Sequence, residues 1–173
     1  MQKQKSRSSV KITLAPGFEI AQMSEENPFK IFVTHLFQED ADYSRVYEYL
    51  ESSTNFFYKN CSDPNSIPTS RGKENLKDEV RAQIEQAEVV ILPSSMYMRD
   101  IDWISYQMIA AQAAKIPIIA LEPFGGVEEM HPDVAARADD RIMWNERLIV
   151  DAIRHRARGE DTTRFETIEF EMP

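Results

Sequence analysis

Between residues 29 and 155 the chain alternates short, continuously apolar runs with stretches whose apolar residues recur at helical spacing, and few folds accept that beat. The runs fall at residues 29–34, 55–59, 87–93, 116–122 and 141–144. The third (Ala-Glu-Val-Val-Ile-Leu-Pro) and the fourth (Ile-Pro-Ile-Ile-Ala-Leu-Glu) are the strongest, and the fifth is the shortest. Apolarity at every position, rather than at every second one, is what strands covered on both faces require. In the gaps, Tyr43, Val46, Tyr47 and Leu50 follow i, i+3, i+4, i+7, and Leu76, Val80 and Ile84 make a one-sided stripe. Residues 102–115 are alanine-rich, and Leu148, Ile149, Ala152 and Ile153 mark a last helix. Strand and helix in alternation predict an α/β fold, a parallel five-stranded sheet with helices on both faces.

The flanks read differently. Residues 1–28 form an extension in which Val10, Ile12 and Leu14 alternate with polar residues, suggesting one short strand before the Pro16-Gly17 turn. Residues 29–158 make the domain, and 159–173 a tail with weak alternation over 164–171. The connection over residues 61–74 holds Pro64, Pro68 and Gly72 and is long for a compact domain, which predicts a mobile loop. A chain of 173 residues suits one such domain with short extensions.

Charge and motifs narrow the function. A net charge of −9 with scattered Lys and Arg argues against nucleic acid, which asks for a concentrated basic face. No apolar run approaches the length of a membrane span. The absence of an apolar leader and the single cysteine, Cys61, lead us to expect a cytoplasmic location. The five glycines form neither GxGxxG nor a P-loop, so pyrophosphate cradles of those two kinds are excluded. His35, His131 and His155 lack metal-ligand spacing, and no metal site is expected.

In an open parallel sheet, ligands sit beyond the carboxyl ends of the strands, near the point where strand order reverses. That rule selects His35, Asn60, Ser62, Ser94, Ser95, Tyr97, Phe124, Trp144 and Asn145, a set of hydroxyls, amides and rings suited to a base or ribose. The helix after the third strand adds Trp103 with Gln107 one turn on, either as a core anchor and rim hydrogen-bonder or as site residues. Of the acidic residues near its start, Asp102 is expected to be the N-cap.

These pieces, in order, resemble a known family. Met96-Tyr97, then Asp102-Trp103-Ile104-Ser105-Tyr106-Gln107, Lys115-Ile116-Pro117-Ile118-Ile119, Pro123-Phe124-Gly125 and Trp144-Asn145 with residues 149–154 are similar to the TIR-like domains. The nearest type is the bacterial one found in the Thoeris antiphage system and in stand-alone signalling proteins, and the similarity covers about residues 29–155. The resemblance implies a flavodoxin-like three-layer sandwich. It implies cleavage of the nicotinamide–ribose bond of NAD in active members, by a Glu four residues beyond the Trp. That position is Gln107 here, and a neutral amide cannot offset the positive charge of an oxocarbenium-like transition state. Three readings follow. The first is a signalling protein that binds an NAD-like nucleotide without the usual catalytic carboxylate, with His35, Asn60, Ser62, Ser94, Tyr97, Trp103, Gln107, Trp144 and Asn145 around the ligand. The second is an NAD-cleaving or cyclising enzyme that recruits another carboxylate, such as Glu122 or one from a second subunit. The third is an assembly module that pairs with itself or with an effector protein. NAD enters as substrate or ligand, and no tightly bound cofactor is expected.

Overall fold

The computed structural model describes residues 25–66 and 72–161. The strand expected near Val10, the tail over 164–171, and residues 67–71 of the long connection lie outside the described residues. The elements run β1 (Phe29–Val33), α1 (Ala41–Glu51), β2 (Tyr58–Asn60), α2 (Lys73–Glu85) and β3 (Val89–Pro93), then a 3-10 turn (Ser94–Met96). They continue with α3 (Ile101–Ala113), β4 (Ile118–Leu121), α4 (Pro132–Arg137), β5 (Asp140–Ile142) and α5 (Glu146–Arg158). The sheet is parallel throughout, in the order β2-β1-β3-β4-β5. Helices α1 and α5 pack together, as do α2 and α3, giving the three layers of a flavodoxin-like fold.

The strongest apolar runs became the innermost strands. Every residue of β3 and β4 is buried, because helices cover both faces of the sheet. The second run shifted. Expected over 55–59, β2 is instead Tyr58–Asn60, since Phe56 leaves the ladder to stack on Phe29 at 5.3 Å in the core. The fifth starts one residue earlier and ends two earlier than expected: Asp140 pairs with Ile119, while Met143 is exposed and Trp144 turns back to donate its indole N–H to Glu122 O at 2.6 Å. Helix α4 was not anticipated, although Pro132 stands at its first turn and His131 caps it. The N-cap of α3 is Asp100, whose carboxylate accepts from Trp103 N at 3.1 Å; Asp102 sits exposed in the first turn, a correction to the expected cap.

The opposite edge of the sheet is clamped by Arg158. Its guanidinium lies 3.8 Å from the Phe29 ring centre, donates to Asn27 O and Pro28 O, and pairs with Glu88 at 2.9 Å. Burial alone would raise the Glu88 carboxyl, but the bonds from Arg158 and the Lys30 N–H outweigh it and hold the group below its usual range. The switch point between β1 and β3 lies at the other end of the sheet, beyond the carboxyl ends of the strands.

Candidate functional site at the carboxyl edge of the sheet

The ladder between β1 and β3 ends where Thr34 N donates to Ile91 O. The next residue, His35, has its main chain met by a side chain from α3. His35 N donates to Gln107 Oε1 at 3.1 Å, and Gln107 Nε2 donates to His35 O at 2.9 Å and to Trp103 O at 3.2 Å. Both residues are fully buried. Gln107 therefore serves as a surrogate peptide that closes the end of β1 onto α3.

The His35 ring continues inward. Its Nδ1 accepts from Phe37 N at 3.2 Å, which leaves the proton on Nε2 to be donated to Gln83 Oε1 at 3.3 Å. Gln83 also accepts from Asp63 N and donates to Asp63 O, so the described start of the long connection is tied to α2. Burial pushes the imidazole down to about 4, against smaller upward pulls from the Gln83 bond and Asp63. A neutral ring bonded at both nitrogens holds structure together.

Asn60 and Ser62 belong to a second knot. Ser62 N and Oγ donate to Asn60 Oδ1, which also accepts from Tyr47 OH at 2.6 Å, and Asn60 Nδ2 donates to Tyr43 OH at 3.1 Å. Burial, and then the neighbouring Tyr43, raise the Tyr47 phenol well above its usual range. Tyr97 leans away from β1: its hydroxyl donates to Asp133 Oδ2 at 2.8 Å and its ring lies 4.7 Å from that of His131. Asn145 caps α5, accepting from Leu148 N at 3.1 Å. Trp103 meets Phe37 edge-on at 4.6 Å.

A third group lies across the switch point; the sequence singles out its Ser94, Ser95, Phe124 and Trp144 but not Asp40, Asp42, Arg45 or Arg99. Asp42, in the first turn of α1, accepts from Arg45, from Arg99 and from Ser95 Oγ; Arg99 also donates to the capping residue Asp40 at 2.7 Å. Arg45 then lies over the Phe124 ring, 3.8 Å from its centre, beside Trp144 at 5.7 Å. At the end of β3, Ser94 Oγ is buried with no hydrogen-bond partner among the described residues. Asp42 and Arg45 carried a legible helical i, i+3 pairing, whereas the reach of Arg99 to α1 had no local signal.

The structure thus unites His35 with Gln107, and Asn60 with Ser62, and places Trp144 beside Arg45 and Phe124. Tyr97 and Asn145 are engaged elsewhere by Asp133 and Leu148. Among the described residues no group of three or more His, Cys, Asp or Glu is arranged to hold a metal ion, and no helix is long and apolar enough to cross a membrane. No protein-family model matches this chain, and no curated protein matches it at a significant level.

The buried imidazole makes stability depend on pH in a defined window. In the unfolded chain it takes up a proton near its ordinary 6.5, in the folded chain only near 4. The unfolded state thus binds the extra proton, and acidification favours unfolding. The contribution of His35 is complete above pH 6.5 and declines by on the order of 3 kcal/mol as pH falls toward 4. Urea unfolding of wild type and His35→Gln at pH 7 and pH 4.5 checks this. The wild type is expected to lose more stability than the variant across that interval, and equal losses would contradict it.

Proposed function

We propose that this chain is a TIR-like signalling domain, of the type that serves bacterial antiphage defence, which binds an NAD-like nucleotide at the carboxyl edge of its sheet without cleaving it. The observation that carries this reading is the engagement of Gln107. Cleavage of a nicotinamide–ribose bond builds positive charge on the ribose, and catalysts of that step set a carboxylate beside it. Gln107 offers no charge, and its amide is bound to the main chain of His35 and Trp103. His35 has no free ring nitrogen for proton transfer. Binding is supported by what the same edge holds: two guanidiniums, a Ser94 hydroxyl without a hydrogen-bond partner among the described residues, and the rings of Phe124 and Trp144.

A second reading, an assembly module, is favoured by one observation. Met98, Ile101 and Ile109 are large apolar residues left exposed on and just before α3. Light scattering with and without NAD separates the two: a monomer in both conditions at high concentration speaks against assembly.

Incubation with NAD followed by chromatography tests the leading proposal. The wild type is expected to release no nicotinamide, and release would establish an enzyme that uses another carboxylate, Glu122 among them. Gln107→Glu is expected to gain no activity and to lose on the order of 3 kcal/mol of stability, because a carboxylate oxygen would replace the donor that faces two carbonyls. A variant that melts with the wild type would contradict the brace between Gln107 and His35, and nicotinamide release by the variant would show that position 107 faces a bound ribose rather than the main chain.

A further inference from the structure

Phe124 is 52% exposed, yet its ring is held. The Arg45 guanidinium covers one face at 3.8 Å, and Arg45 is itself fixed by Asp42 at 2.6 Å. Trp144 stands at 86° to Phe124 with centres 5.7 Å apart, and its indole N–H is donated to Glu122 O. Arg45 is also 5.7 Å from Trp144. These three distances place Trp144 beside the Phe124 ring on the side of Arg45, so neither residue covers the opposite face. Gly125 and Gly126 follow, both with positive φ, and nothing lies within 4 Å of where a Cβ would stand on either.

From this geometry we infer that the outer face of Phe124 is a stacking platform for the neutral purine base of a nucleotide. The inference rests on the nucleotide reading above and assigns the base to one surface. A ring already fixed in place loses little entropy when a base stacks on it. Its electronics set the preference. A cation on the inner face draws on the π-cloud, so the outer face receives an electron-rich neutral ring better than a second cation such as a pyridinium. Asp42 also binds Arg99, whose side chain is 41% exposed, and this puts a second guanidinium within a carboxylate's width of Arg45. Guanidinium is the group that matches the phosphate of a nucleoside monophosphate.

Calorimetric titration with adenosine monophosphate, nicotinamide mononucleotide and NAD tests this on wild type, Phe124→Ala and Phe124→Tyr. Because Phe124 is exposed, both variants are expected to fold, which their melting curves check. Adenosine monophosphate is expected to bind wild type and Phe124→Tyr alike and to bind Phe124→Ala about tenfold or more weakly, the loss of one base–aromatic stack. Nicotinamide mononucleotide, with the same ribose phosphate and a cationic ring, is expected to be indifferent to Phe124. Equal affinity of adenosine monophosphate for wild type and Phe124→Ala, or a larger Phe124 dependence for the pyridinium nucleotide, would overturn the inference. If NAD binds wild type and Phe124→Ala equally, nucleotide binding stands and the platform fails. If none of the three binds wild type, both fail.

Discussion

At the end of β1 the sheet runs out of partners before the buried main chain does. Thr34 still donates to Ile91, but His35 lies beyond the ladder, and its N–H and C=O are both buried. Two unmet peptide groups there would cost about 1–3 kcal/mol each. Gln107 meets both with one side chain, accepting from the N–H and donating to the C=O. An amide supplies both a donor and an acceptor; ionised glutamate has the same shape and no donor. The need for a peptide-like group at this position accounts for glutamine, and everything placed from His35 onward depends on it. Phe37, with φ of 60°, is held by the His35 ring and in turn packs on Trp103.

The rest of the carboxyl edge follows the same logic of internal satisfaction. Tyr43 and Tyr47 of α1 are knotted to Asn60 and Ser62, and Arg99 spans the switch point to Asp40 and Asp42. A ligand entering this crevice must exchange with existing ion pairs, which lowers its net gain, because partly buried pairs are costly to break without replacement. The exposed face of Phe124 carries no such cost. The edge therefore divides into a closed part, built around His35 and Gln107, and an accessible part, built around Arg45, Phe124 and Trp144.

How much of this was legible in the sequence depended on the range of the interactions. Residues 87–93 and 116–122 read as buried strands because apolarity at every position has one ready meaning. The boundaries of β2 escaped because Phe56 belongs to the core without belonging to the ladder. Helix α4 is six residues long, too short to show a period. His35 and Gln107 both stand out in the sequence, one as a strand-end residue and the other one helical turn after Trp103 and at a family position, yet 72 residues separate them and no local pattern announces their pairing. Gln83 was passed over because on α2 it reads as one more polar helix residue. Arg45 of α1 meets Phe124, and Asp42 meets Arg99, only once the sheet order has brought that helix and the loops after β3 and β4 to one end.

The amide brace between Gln107 and His35 is the claim on which the account stands, and amide hydrogen exchange followed by NMR addresses it directly. If Gln107 closes the end of β1, the Gln107 side-chain NH₂ and the His35 backbone N–H exchange only as the whole domain opens, at rates matching an interior amide such as Val90. Exchange at those two groups many-fold faster than at Val90, in a protein whose central strand stays protected, would contradict it. The position would then be open to solvent.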